Sequence, residues 1–180
     1  MKYVKKNQFL VWFLVLSLMS FATIVYGNTL EEQEKKVLNE FKGVIPPENI
    51  KTVDDLYKTW QEVQEGKSKA IIMDIRTESE FDSGHIFGSN NIDSGHAYLI
   101  PKKITDSNTE IWVLCRTENR GTYFTGLLHK YGYKNANFVN KGIVGWIEKG
   151  FPLVNKYMGE FKVTKYNKEL KEEYTMRENK

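Results

Sequence analysis

The sequence predicts an α/β fold: an open, mainly parallel sheet with helices on both faces. Three observations predict it. Lys69–Ile75 and Glu110–Leu114 are short, almost continuous apolar runs, which is the pattern of strands buried on both faces. Segments with apolar residues at one-face helical spacing stand before and after these runs. Strand-like and helix-like stretches then alternate from Lys51 to Asn155, the order of a layered sheet rather than of successive hairpins.

Taken in order, Val53, Leu56, Tyr57 and Trp60 recur on one face behind Thr52, a capping residue, and predict a helix of about three turns. The first apolar run follows as a strand. The second run ends at Cys115, after which Phe124, Leu127, Leu128 and Tyr131 describe the buried face of a helix terminated by Gly132. Asn137–Val139 supplies another strand, and Ile143, Trp146 and Ile147 another helix that ends at Gly150, with Trp146 in the core.

The flanks have a different grammar. Lys2, Lys5 and Lys6 precede an apolar run, Phe9–Val25, interrupted only by Ser17, Ser20 and Thr23, and Gly27 closes it. Residues 1–27 read as an export signal cleaved near Gly27, or as an uncleaved N-terminal anchor, the one route by which this chain would meet a membrane. Both readings place the folded part outside the cytoplasm, in the periplasm or facing outward from a membrane. Residues 28–50 form a helical extension and linker, broken by Gly43, Pro46 and Pro47. Residues 51–155 are the central domain. Residues 156–180 are a charged tail with seven basic and five acidic side chains and a weak face of Tyr157, Phe161, Leu170 and Tyr174, expected as a frayed helix or a solvated segment.

Charge excludes one class of partner. The formal net charge is +3, but taking the three leader lysines from 26 basic residues leaves 23 against 23 acidic ones. A balanced chain of this kind has no electrostatic case for binding nucleic acid.

The chain has one cysteine, which rules out an internal disulfide or a cysteine-rich metal site. Its position is informative. Ligands of parallel α/β sheets sit beyond the carboxyl ends of strands, where a loop turns into a helix and free backbone N–H groups point outward. Cys115 stands there, followed by Arg116, Thr117, Glu118, Asn119 and Arg120. Amide donors, a helix terminus and two arginines all favour the thiolate, so the thiol pKa is expected to be lowered and the loop to hold an anion against sulfur. The competing reading is that a cysteine ending an apolar strand is a small core residue.

The residues around these points resemble the rhodanese family of sulfurtransferases. The resemblance runs through Ile72-Met73-Asp74-Ile75-Arg76, Glu80-Phe81, Gly84-His85-Ile86 with Gly88, Asn91-Ile92, the Cys115–Arg120 loop, Tyr131-Gly132-Tyr133, and Gly142 with Trp146, Gly150, Phe151 and Pro152. It covers almost all of the central domain, in family order. It implies that Cys115 forms a persulfide and that Arg116, Thr117, Glu118, Asn119 and Arg120 bind the substrate. It also implies that Asp74 and Arg76 organise neighbouring loops. The substrate would be a small sulfur-containing anion, with a protein thiol as acceptor or reductant and no cofactor. Two positions depart from the common pattern, Glu118 where many members carry Gly and Gly121 where Ser is common. A Glu118 carboxylate turned inward would repel an anion and raise the thiol pKa; turned outward it does little. A non-catalytic binding module of the same shape is the alternative. A phosphatase or arsenate reductase is disfavoured, because the loop is one residue shorter than the Cys-x5-Arg loop of the related phosphatases.

Other polar residues point to no second chemistry. His85 reads as a loop-pinning hydrogen bonder, and His96 and His129 have no supporting context. The histidines and the cysteine lack metal-ligand spacing, so no metal is expected. Asp54 and Asp55, and Glu78 and Glu80, read as surface or capping acids. Gly142-Ile143-Val144-Gly145 lacks a dinucleotide fingerprint.

Overall fold

A computed structural model describes residues 29–163; the export segment read at 1–27 and the tail beyond 163 lie outside the described residues. The apolar runs become the central strands of a five-stranded, all-parallel sheet. The strands are β1 (Ile50–Lys51), β2 (Ile71–Asp74), β3 (Asn90–Asn91), β4 (Ile111–Leu114) and β5 (Ala136–Val139), in the order β1-β5-β4-β2-β3. All four residues of β4 and of β5 are buried. The helices are α1 (Leu30–Val44), α2 (Val53–Gln64), α3 (Glu78–Ser83), α4 (Ile100–Lys103), α5 (Asn119–Tyr131) and α6 (Gly142–Glu148), with short 3-10 turns at Pro47–Asn49 and Ser94–Leu99. The two-residue strands at the sheet edges, α3 and α4 are too short for periodicity to have marked them.

Local signals set several boundaries. Thr52 caps α2 through a capping box with Asp55, the arrangement that satisfies two otherwise unpaired helix-end N–H groups. Gly132 ends α5 in the left-handed conformation at φ 100°, which a side chain would resist. Tyr131, expected on the buried face of α5, is 41% exposed instead. The reversal at Gly132 turns the chain inward, and Tyr133 occupies the buried position that Tyr131 was expected to hold.

The two-residue period of the strands divides the core between the two faces of the sheet. Ile72, Trp112, Leu114 and Val139 point to one face, where α2 and α6 contribute Leu56, Ile143 and Trp146. Met73, Val113 and Cys115 point to the other, against Phe124 and Leu128 of α5, with Ala97 and Ile100 beside them. Trp146 is fully buried, and its indole N–H donates to the Pro152 carbonyl at 2.8 Å.

A unit boundary falls between Val37 and Leu38, inside α1. Beyond it, Phe41 lies against the Tyr123 ring, with centroids 5.2 Å apart, and against Gly126, so the end of α1 packs on α5. At the other end, Phe161 exchanges backbone hydrogen bonds with Leu153 and its ring covers Gly84. The start of the stretch read as a solvated tail therefore includes an ordered contact.

From β2 the chain crosses outward to β3, and from β4 it crosses to β5 on the opposite side. The carboxyl ends of β2 and β4 thus flank a crevice at the point where the winding reverses, the usual ligand position in open parallel sheets. Asp74 pairs in register with Leu114, which brings Asp74 beside Cys115.

Candidate active site

Cys115 follows the last residue of β4, and its side chain enters the face already carrying Ile111 and Val113. It is 1% exposed. Burial raises its thiol pKa, and this outweighs the backbone N–H groups of Gly121 and Thr117, which hydrogen-bond the sulfur, and the nearby Arg120 charge, all of which lower it. Asp74 adds a smaller upward push. The expectation of a lowered thiol pKa is thereby corrected: the sequence shows the donors but not the depth of the sulfur.

The loop's amides face the sulfur because α6 holds the carbonyls on the other side. Ile143 N–H donates to the Cys115 carbonyl at 2.8 Å, and Val144 N–H to the Arg116 carbonyl at 3.2 Å. In a trans peptide the N–H points opposite to its C=O, so fixing the Arg116 carbonyl toward α6 aims the Thr117 N–H back at Cys115. Gly142 makes this approach possible. Its φ is +52°, and a β-carbon there would collide with the backbone of Cys115 and Arg116.

Gly121 closes the pocket on the side of α5. A β-carbon at 121 would stand 2.8 Å from the Phe138 ring and 3.2 Å from Cys115 Sγ. The departure from the family's serine thus has a physical reason, because the Phe138 ring occupies the space that a side chain would need.

Arg120 lies at the start of α5, part-buried, and forms a two-pronged ion pair with Glu80 of α3: Nη1 to Oε2 at 2.7 Å and Nη2 to Oε1 at 2.8 Å. The Glu80 pair raises the already high Arg120 pKa. Burial acts to raise the Glu80 carboxyl, but hydrogen bonds from Arg120 and Thr77 outweigh it and bring the carboxyl to about 2. Glu80 also completes a capping box with Thr77 at the start of α3. The capping part of its expected role is present. Its pairing with a residue forty positions on had no local signal.

Asp74 and Arg76 are both buried and form a closed pair, with Arg76 Nε 3.0 Å from each carboxylate oxygen and Nη2 2.7 Å from Oδ2. Arg76 also donates to the carbonyls of Glu80 at 2.9 Å and Gly84 at 2.8 Å. One guanidinium thereby ties the end of β2 to Glu80 within α3 and to Gly84 just past its end. His85 stacks on Phe81, with ring centroids 3.7 Å apart, and its Nδ1 lies 3.0 Å from the Phe81 carbonyl.

The remaining loop residues form the rim. Thr117, Glu118 and Asn119 are exposed, and Arg116 is half-buried. Glu118 stands at the cap position of α5 without a side-chain cap bond, while its carbonyl accepts the Thr122 N–H at 2.9 Å. Among the described residues no group of three His, Cys, Asp or Glu side chains is placed to hold a metal ion. A separate open cleft of about 720 Å³, bordered by Met73, Phe81, Asp82, Asn91, His96 and Ile100, includes no residue of the cysteine loop.

Fold and site together define a parallel α/β protein with a cysteine loop at the sheet's winding reversal. The chain belongs to the rhodanese-like domain family, whose model matches residues 55–149. Solved structures with the same fold include a rhodanese-like domain from Anabaena, 18% identical with TM-score 0.52, covering 66% of this chain and 89% of its own. A Rhodopseudomonas palustris protein of unknown function, described as a possible tyrosine phosphatase, is 20% identical with TM-score 0.58, covering 71% and 98%. A thiosulfate sulfurtransferase from Pseudomonas aeruginosa is 18% identical with TM-score 0.53, covering 71% of this chain and 24% of its own. No curated protein matches the chain.

Proposed function

We propose that this protein is a sulfurtransferase that takes a sulfane sulfur from a small donor, thiosulfate or a persulfide, onto Cys115 and passes it to a thiol or to cyanide. The observation that carries this reading is the orientation of the loop, whose Thr117 and Gly121 N–H groups both bond the Cys115 sulfur. Groups fixed in this way stabilise negative charge on a sulfur or on a leaving anion without reorganising. The Pseudomonas aeruginosa fold relative bears the name of a thiosulfate sulfurtransferase, which adds weight to the reading.

In the first step the Cys115 thiolate attacks the donor's outer sulfur, the donor S–S bond breaks, and sulfite or a thiolate leaves with the bonding pair. Cys115 then carries a persulfide. In the second step an acceptor thiolate or cyanide attacks the terminal sulfur and restores the Cys115 thiolate. Electrons balance within each exchange, so neither step calls on a metal or organic cofactor. With the chain exported, the acceptor is a thiol outside the cytoplasm, and a protein reductant would keep the lone cysteine from over-oxidation.

One observation favours a second reading, a binding module that keeps the shape without the chemistry: the sulfur is buried and its thiol pKa is raised. Intact mass separates the two. Cys115 should gain about 32 Da on exposure to thiosulfate or an organic persulfide, lose it to cyanide, and show no gain as Cys115→Ala. A free thiol that gains nothing from either donor between about pH 6 and 9 would leave the binding module.

A further inference from the structure

We infer that the hairpin Leu153–Phe161, which lies past the end of the family-matched residues, belongs to the working site: Phe161 is a positioning residue that fixes α3 and so holds Glu80 on Arg120 of the cysteine loop. The inference rests on the sulfurtransferase reading above and adds to it a residue that acts from outside the crevice.

α3 cannot fix its own place. It is six residues long and none of them is buried. A helix this short has no stability of its own in water, and without a buried face its own packing does not decide where it sits. The capping box of Thr77 and Glu80 shapes its first turn but ties it to nothing beyond. Its place comes from its neighbours. Arg76 reaches the carbonyls of Glu80 and Gly84, and the hairpin meets the helix at Asp82, Gly84 and His85.

The hairpin is itself well rooted. Leu153 is 2% exposed, and the buried Trp146 donates its indole N–H to the Pro152 carbonyl just before it. Leu153 exchanges both backbone hydrogen bonds with Phe161, at 2.8 Å each, and Val154 does the same with His85, at 2.8 and 2.9 Å. The Phe161 ring packs on the core cluster of that face and lies directly on Gly84, where a β-carbon would stand 3.0 Å from it. Lys156 also pairs with Asp82 at 2.8 Å, but both side chains meet solvent, so this pair contributes little. The ring on Gly84 is the contact that matters. The same residue gives its carbonyl to Arg76, so the end of α3 is gripped by an aromatic ring and a guanidinium at one point.

Glu80 stands one turn before Gly84 and grips Arg120 through both carboxylate oxygens. This fork-to-carboxylate geometry gives a long, rotatable side chain one orientation. The Arg120 charge favours the Cys115 thiolate, and a fixed cation is worth most to a reacting anion when it needs no reorganisation. Without Phe161, α3 loses its outer contact, and Glu80 no longer holds Arg120 in place.

The test uses the full chain and two readouts. The first is the titration midpoint of the Glu80 carboxyl, followed by NMR of the carboxyl carbon, which in Phe161→Ala should rise from about 2 toward the ordinary 4.5. The second is persulfide formation on Cys115, followed by mass against thiosulfate concentration, or against glutathione persulfide should thiosulfate not load. Phe161→Ala should raise the half-saturating donor concentration about tenfold. Loss of folded protein lowers the amount that loads and moves neither readout. Phe161→Leu, which keeps an apolar side chain on Gly84, should recover most of the change. Glu80→Gln should have an effect of similar size, and Phe161→Ala added to it should change the half-saturating concentration by less than about twofold, because the route is already cut. A Glu80 midpoint that stays at about 2 in Phe161→Ala, or an effect that multiplies in full with Glu80→Gln, overturns the inference and leaves sulfur transfer standing. Should Phe161→Ala fail to fold, Gly84→Ala displaces the ring from the other side and carries the same comparison. Loading from neither donor in the wild type overturns the sulfurtransferase reading, and the Glu80 midpoint then decides the positioning by itself.

Discussion

Gly121 and Phe138 are packed so closely that a β-carbon at 121 would stand 2.8 Å from the aromatic ring and 3.2 Å from the Cys115 sulfur. The two residues come from α5 and β5, and together they define the wall behind the sulfur. A serine at 121 has nowhere to go unless the ring moves. Gly121→Ser should therefore destabilise the fold by about 1–3 kcal/mol through overpacking. Combined with Phe138→Leu, the loss should be smaller than the sum of the single losses, because the two changes share one space. Denaturant unfolding of the four proteins checks this, and strict additivity would show that the contact is not the constraint.

Gly142 faces the carbonyls of Cys115 and Arg116 with φ +52°. Gly142→Ala should cost about 2–4 kcal/mol, since it adds a collision to an unfavourable backbone angle. It should also push the Cys115 pKa further up, because α6 would no longer hold the loop carbonyls that aim the Thr117 N–H at sulfur. Thiolate absorbance against pH on the folded variant reads the second effect independently of the first.

Cys115 is buried, and burial is the leading reason that its pKa lies above the ordinary 9.0. Its alkylation by a neutral reagent should accelerate with pH through 9 without reaching a plateau there. The same raised pKa has a stability consequence. The protonated thiol is favoured by folding, so its contribution is fully present below pH 9.0 and is lost as the pH rises through the folded-state value. An alkylation midpoint below pH 9.0 would mean that the sulfur is better solvated in solution than its 1% exposure implies.

The Glu80 carboxyl falls from 4.5 to about 2 on folding. Because the folded-state value is the lower one, the ion pair with Arg120 contributes stability above pH 4.5 and loses it as the pH falls toward 2. Part of the pair meets solvent, which reduces its worth to about 1–2 kcal/mol. Glu80→Gln should flatten the acid side of the stability curve by that amount, measured by thermal unfolding at pH 5 and pH 3. An unchanged slope would assign the acid sensitivity to other carboxylates.

Arg76 is buried with Asp74 and holds two further carbonyls. Arg76→Ala should cost about 3–5 kcal/mol, because it leaves the Asp74 carboxylate buried and unmatched. Arg76→Lys should recover only part of the loss, since an ammonium cannot reproduce the guanidinium fork that reaches Asp74, Glu80 and Gly84 together. Equal stability of the lysine variant and the wild type would reduce the residue to a point charge.

Strands and helices with local signals are legible in the chain before any folding. Ile71, Ile72 and Met73, and likewise Ile111–Leu114, form apolar runs on both faces, the pattern of central strands. Thr52 and Gly132 fixed a helix start and a helix end through their own backbone chemistry. Cys115 was legible as the focus of the site because a lone cysteine at the end of a buried strand stands next to the following helix. The electrostatics of that site, in contrast, come from packing alone. Glu80 and Arg120 are forty residues apart in sequence and meet only because α3 and α5 start from the neighbouring strands β2 and β4. Phe138 reaches the loop from β5 and Gly142 from the start of α6, on the far side of β4. The depth of the Cys115 sulfur, and with it the sign of its pKa shift, depends on all of these at once. Local pattern records which groups a residue carries, whereas a pKa responds to the distances and burial that packing imposes.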